Sequence, residues 1–127
     1  MERRESKSLE GIWTINAEGN TLFASESMAK LLLTCVEEML GKSSFDFVFP
    51  EDLNAAQRLF GAKSRGDTKP FDFRLRRSDG TPIWMSVQGS PMYDATGAFN
   101  GLIGTFRVIS KTIPEPGVQS QETFADS

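Results

Sequence analysis

Histidine does not occur in this sequence. Its absence removes Ser-His-Asp and Cys-His catalysis, haem held by an axial imidazole, most catalytic zinc sites and a phospho-accepting histidine together. Cysteine is nearly as scarce. Cys35 is the single thiol, which excludes an internal disulfide and a cysteine-built metal site, and leaves no resolving partner for a redox switch. Such usage fits a reducing compartment. No apolar run approaches the roughly eighteen residues that a membrane span requires, and the opening Met1-Glu-Arg-Arg-Glu lacks the apolar stretch of a signal peptide. A cytoplasmic chain without membrane contact is expected. Basic charge is not in excess either: the net charge is -3 and the pI about 5.0, so nucleic acid is not an expected partner. The local cluster Arg74, Arg76 and Arg77 alternates with Phe73 and Leu75 and reads as the wet face of a strand.

What the chain does contain is enough apolar material for one core. It has 127 residues, 39% of them hydrophobic, with ten Phe and two Trp. A chain of this length buries roughly two-thirds of its unfolded surface. Residues 1–9 are mostly charged and read as a flank. Gly11-Ile-Trp-Thr-Ile-Asn16, the turn Ala17-Glu-Gly-Asn20 and Leu22-Phe23-Ala24 predict a hairpin. Glu26 to Lys42 predicts two short helices ending at Gly41, with Met28, Leu31 and Leu32 at helical spacing and Cys35 beside the second start. After the aromatic Phe45-Asp-Phe-Val-Phe49, Pro50-Glu-Asp opens a longer helix that turns Leu53, Ala56, Leu59 and Phe60 inward, with Gly66 beyond its end. Three strands follow: Phe71 to Arg76, Ile83 to Val87 after the Ser78-Asp-Gly80 turn, and Leu102 to Ile109 after Asp94-Ala-Thr-Gly97. Residues 113–127 hold Pro114, Pro116 and a polar run, the composition of a tail or linker.

Two strands, several short helices and three strands predict an α+β domain over residues 10–112, with a five-stranded antiparallel sheet and helices packed on one face. On such a sheet, alternation assigns inward positions. The inward set is Trp13, Ile15, Phe71, Phe73, Leu75, Met85, Val87 and Phe106 from the strands, with Leu32, Met39, Leu59 and Phe60 from the helices and Phe45 or Phe47 beside them. These residues fill a core or line an apolar cavity that would take a small apolar ligand. The outward set Ile12, Trp84, Ile103 and Ile109 is the candidate surface for a homodimer.

Catalysis finds no candidate. Glu37-Glu38 and Glu51-Asp52 are sequence neighbours that do not face one another on a helix, and they read as solvated caps. Gly101-Leu-Ile-Gly104 lies in a strand pattern with no Lys-Ser/Thr pair after it, so it is no phosphate loop. Neither an enzyme nor a metal site is expected.

An ordered set of segments resembles the PAS family of bacterial sensory boxes: Gly11 to Asn16, Leu31-Leu32, Glu37-Glu-Met-Leu-Gly-Lys42, Phe49-Pro-Glu-Asp52, Phe73-Arg-Leu-Arg-Arg-Ser-Asp-Gly80, Trp84, Gly89-Ser-Pro91 and Gly101-Leu-Ile-Gly104. The resemblance runs from about Leu9 to Thr112. It implies a signal-sensing module of a sensor kinase of a two-component system, a cyclic-di-nucleotide enzyme or a transcription regulator. Such a module either binds a ligand or only pairs protomers. The sequence departs from the family pattern at Phe49, where many members have His, at Ser25, which replaces a common Asn, and at Val108-Ile-Ser110, which replaces an Asp-Ile-Thr output triplet. Against light-oxygen-voltage domains, the positions that would contact flavin correspond to Leu75, Met85, Phe106 and Ser44, and none carries the required amide or thiol. No cofactor is therefore expected.

Overall fold

The computed structural model describes residues 10–109; the expected flank 1–9, the tail 113–127 and the end of the 10–112 domain lie outside the described residues. Strands β1 (Glu10–Asn16) and β2 (Thr21–Ala24) form the opening hairpin. Its turn is held by the Asn16 side-chain oxygen, which accepts from the backbone of Glu18 and Asn20. Helices α1 (Glu26–Leu31) and α2 (Val36–Met39) follow. Two single 3-10 turns, Ser44–Phe47 and Pro50–Asp52, then lead into α3 (Leu53–Ser64). Strands β3 (Phe71–Arg76), β4 (Pro82–Tyr93) and β5 (Phe99–Val108) complete an antiparallel sheet of order β2-β1-β5-β4-β3. The α+β architecture is the one expected from the sequence.

One element is longer than the sequence pattern suggests. β4 does not end near Val87 but continues through Pro91 to Tyr93. A proline inside a central strand removes a ladder donor, yet β3 pairs only with Pro82 to Val87, so the outer segment of β4 bonds to β5 alone. Pro91 thus sits where one side of the strand has no neighbouring strand.

The helical layer covers the sheet unevenly. At one end α1 lies almost on the backbone of β1, because Gly11 has no side chain: a Cβ there would fall 2.7 Å from the Cα of Met28. Ser25 fastens the same contact, its hydroxyl accepting from Met28 N of α1 at 3.2 Å and from Ile12 N of β1 at 3.0 Å. Around this junction Met28, Leu32, Met39 and Met85 are fully buried. At the other end α3 packs over β4 and β5. It stops at Gly66, whose φ of 101° lets Asp67 N return to the Ala62 carbonyl.

The arginines of β3 are not a simple wet face. Arg74 donates through Nε to Asp52 at 2.6 Å and through Nη2 to Glu51 at 3.3 Å, and its guanidinium lies 4.6 Å from the centre of the Phe49 ring. Arg76 donates to the Asp46 carbonyl. Long side chains on an edge strand reach past the sheet, so Glu51 and Asp52 act as anchors of the helical layer and not as solvated caps.

Candidate functional site

Trp13 anchors the inner face of the sheet. Its indole donates to the Thr21 hydroxyl at 2.9 Å, a pair buried between β1 and β2 that leaves the ring fixed. Phe47 meets the indole edge-on at 5.3 Å, and Phe106 of β5 lies at 5.6 Å on a tilted plane. Beyond this cluster the space between α3 and the sheet does not close. A cavity of about 130 Å³ lies there.

Strand side chains expected from alternation form much of its wall: Trp13 and Ile15 of β1, Phe71, Phe73 and Leu75 of β3, Val87 of β4, and Phe106. Leu59 and Phe60 of α3 form the roof, and Phe45 meets Phe60 edge-on at 5.9 Å. Leu32, Met39 and Met85 do not reach the cavity. They are packed solid at the Gly11 end, where α1 comes too close to leave space. Phe47 likewise packs on Trp13 outside the wall.

Two glycines lie in the floor of the cavity. Gly89 of β4 and Gly104 of β5 are direct cross-strand partners on the inner face, both buried and both wall residues. At Gly89, where a side chain would otherwise rise to meet α3, there is none. A Cβ at Gly89 would meet only the Lys63 stem, at 3.9 Å. At Gly104 the Phe106 ring folds back over the empty position, 2.8 Å from where a Cβ would stand.

Lys63 is the one charged side chain among the described wall residues, and it is only 3% exposed. Its ammonium donates to the Lys69 carbonyl, lies 5.0 Å from the centre of the Phe71 ring and stands 3.8 Å from Asp67 Oδ1. Asp67 in turn accepts from Lys69 N at 2.9 Å; that bond, followed by the charge of Lys63, holds its carboxyl below the usual range.

On the outer face, register separates the four dimer candidates. Ile109 lies opposite Trp84, whose backbone carbonyl accepts from Ile109 N. Ile12 and Ile103 are diagonal neighbours across β1 and β5. Between the two pairs runs the polar row Glu10, Arg107, Ser86 and Asp72. Ile12 and Ile103, each 41% exposed, instead join Phe23 of β2, 50% exposed, around Thr14. No group of three His, Cys, Asp or Glu residues that could hold a metal occurs among the described residues.

The family profile described as PAS fold matches residues 2–109. The chain belongs to the PAS family. A PAS domain is a sensory and signalling module, and solved PAS structures superpose well on this one. A PAS domain of a protein from Colwellia psychrerythraea gives a TM-score of 0.72 at 17% identity, over 86% of this chain and 97% of that one. A light-oxygen-voltage domain solved with a flavin analogue gives 0.69 at 19%, over 87% and 88%. The Drosophila melanogaster Cycle PAS-B domain, solved with bound ethylene glycol, gives 0.68 at 18%, over 78% and 99%. The uncharacterized protein y4lL of Sinorhizobium fredii is 28% identical over 94 residues, 73% of this chain but 11% of that protein. This PAS domain thus spans about a ninth of the length of that relative.

Alternation on the strands located most of the cavity wall. It missed Lys63, Ser44 and Val48, which come from the helical layer, and Leu102, the two glycines and Ile103, expected only on the outer face, from the sheet; Ala56, expected to turn inward, does line the wall. The glycines did leave a signal. Gly89-Ser-Pro91 and Gly101-Leu-Ile-Gly104 each place a glycine inside a strand pattern, which marks a close approach or an empty position.

Proposed function

We propose that this PAS domain is the input part of a cytoplasmic bacterial signal-transduction protein, such as a sensor kinase, a cyclic-di-nucleotide enzyme or a transcription regulator. In this reading it senses a small, mainly apolar ligand and catalyses nothing itself. The cavity above the Gly89–Gly104 pair carries the proposal. Apolar voids of about 150 Å³ admit a benzene-sized guest, so about 130 Å³ suits a single ring or a short branched chain. For a flavin, Leu75, Met85 and Phe106 offer no side-chain amide to read its edge. No cofactor is part of the proposal. Native mass spectrometry of protein purified without added ligand tests it. The expected result is a non-covalent adduct of single-ring mass; a bare chain whose melting point is also unmoved by millimolar toluene and by millimolar benzoate would sink it.

A second reading rests on the outer face. Ile12, Phe23 and Ile103 form an apolar patch at the β2-β1-β5 end of the sheet, and apolar patches of this kind mark partner surfaces. There a second copy of the chain would dock, with Trp84 and Ile109 at the far margin. Sedimentation would then show a dimer that Ile103→Lys dissociates. A monomer at high concentration contradicts this reading.

A further inference from the structure

The buried ammonium of Lys63 has no role in holding a purely apolar guest. Lysine has three donors. Among the described residues, the Lys69 carbonyl takes one and the Phe71 ring receives the charge on its face. Asp67 Oδ1, at 3.8 Å, forms a long ion pair with the ammonium and is shared with Lys69 N. The cation is therefore enclosed at 3% exposure with one long, shared carboxylate as its counter-charge, an arrangement that a closer anion would improve. A neutral guest would make matters worse by drying the space beside the ammonium. An anionic guest would supply a closer partner than Asp67, and at low dielectric that pairing is strengthened.

We propose that the cavity takes a small monocyclic carboxylate: its ring lies among Trp13, Phe71 and Phe106, and its carboxylate receives hydrogen bonds from Lys63 Nζ. The inference rests on the cavity reading given above and names the ligand class. One cation in an otherwise apolar wall favours a single negative charge over a dicarboxylate or a phosphate. Gly89 helps by leaving the Lys63 stem free of a facing side chain, so the ammonium can swing from Lys69 toward the guest.

The test titrates the full chain at pH 7 with sodium benzoate and, separately, with toluene. The readout is the indole N–H resonance of Trp13, with that of Trp84, on the other face of the sheet, as reference. Benzoate is expected to bind at least tenfold more tightly than toluene, and Lys63→Met, which keeps the stem, to reverse the order. Toluene binding as tightly as benzoate to the unaltered chain would overturn the carboxylate assignment and leave the cavity reading standing. Binding of neither compound at millimolar concentration would overturn both. If Lys63→Met does not fold, Asp67→Asn decides. It keeps an acceptor for Lys69 N but removes the competing charge, so benzoate should bind severalfold more tightly; unchanged affinity counts against the proposal.

Discussion

Gly11 and Gly89 occupy the same face of the sheet and have opposite surroundings. A Cβ at Gly11 would fall on the backbone of Met28, which cannot move without shifting α1. Gly11→Ala is therefore expected to lower stability by about 2 kcal/mol, the range of core overpacking. At Gly89 the same methyl would meet only the flexible stem of Lys63, at ordinary contact distance. Gly89→Ala should be neutral or raise stability by about 0.5 kcal/mol through reduced freedom of the unfolded chain. Urea denaturation of both variants checks the pair, and equal losses would contradict the uneven layer described above. A sequence shows that a glycine stands in a strand, but not whether a helix presses on it. That depends on which end of the sheet each helix reaches, a matter of three-dimensional placement.

At the scale of elements, the chain joins its helical layer to the edge strand β3 by charge as well as by apolar contact. Arg74 bridges to Asp52 and Glu51 in the turn that starts α3. Its hydrogen bond to Asp52, above all, raises the proton affinity of the guanidinium beyond its ordinary value. Arg74→Leu is expected to cost about 1 kcal/mol, a value between those of exposed and buried charged pairs. Because the pair is partly exposed, the loss should shrink in high salt. A thermal-melt series at low and high ionic strength measures this, and a salt-independent loss would point to packing on Phe49 instead. The strands and the hairpin turns were legible from alternation and from the glycine-bearing turns at 17–20, 78–80 and 94–97. The Arg74 clamp was not, because alternation gives a side chain's face but not its distance from the sheet edge. The extension of β4 escaped for a related reason: Pro91 is tolerated only because β3 stops short of it, and strand lengths of neighbours are not written locally.

For the whole molecule, both late hairpins depend on an ionised aspartate. Asp94 accepts from the Thr96 hydroxyl and from the backbone of Thr96 and Ala98. Asp79 accepts from the hydroxyl and backbone of Thr81. In each case the threonine hydroxyl bond is the leading cause that holds the carboxyl below its usual range. A carboxyl with a lower affinity for protons when folded stabilises the fold above its unfolded value of about 4, and this contribution is lost as the pH falls through the folded value. Stability should therefore hold from neutral pH to about pH 4 and decline below it. Asp94→Asn, which keeps the acceptor and removes the titration, should flatten part of that decline in acid-unfolding curves.

Gly104 and Ile103 are adjacent residues of β5 that face opposite sides of the sheet. The first helps floor the cavity; the second, 41% exposed, belongs to the outer apolar patch and still contributes to the cavity wall. Gly89 and Gly104 carry no side chains of their own, and only the Phe106 ring lies over Gly104, so little more than the β5 backbone separates the interior from that patch. Inside and outside are two surfaces of one membrane of backbone, as on a drumhead. Any displacement of β5 is shared by both at once.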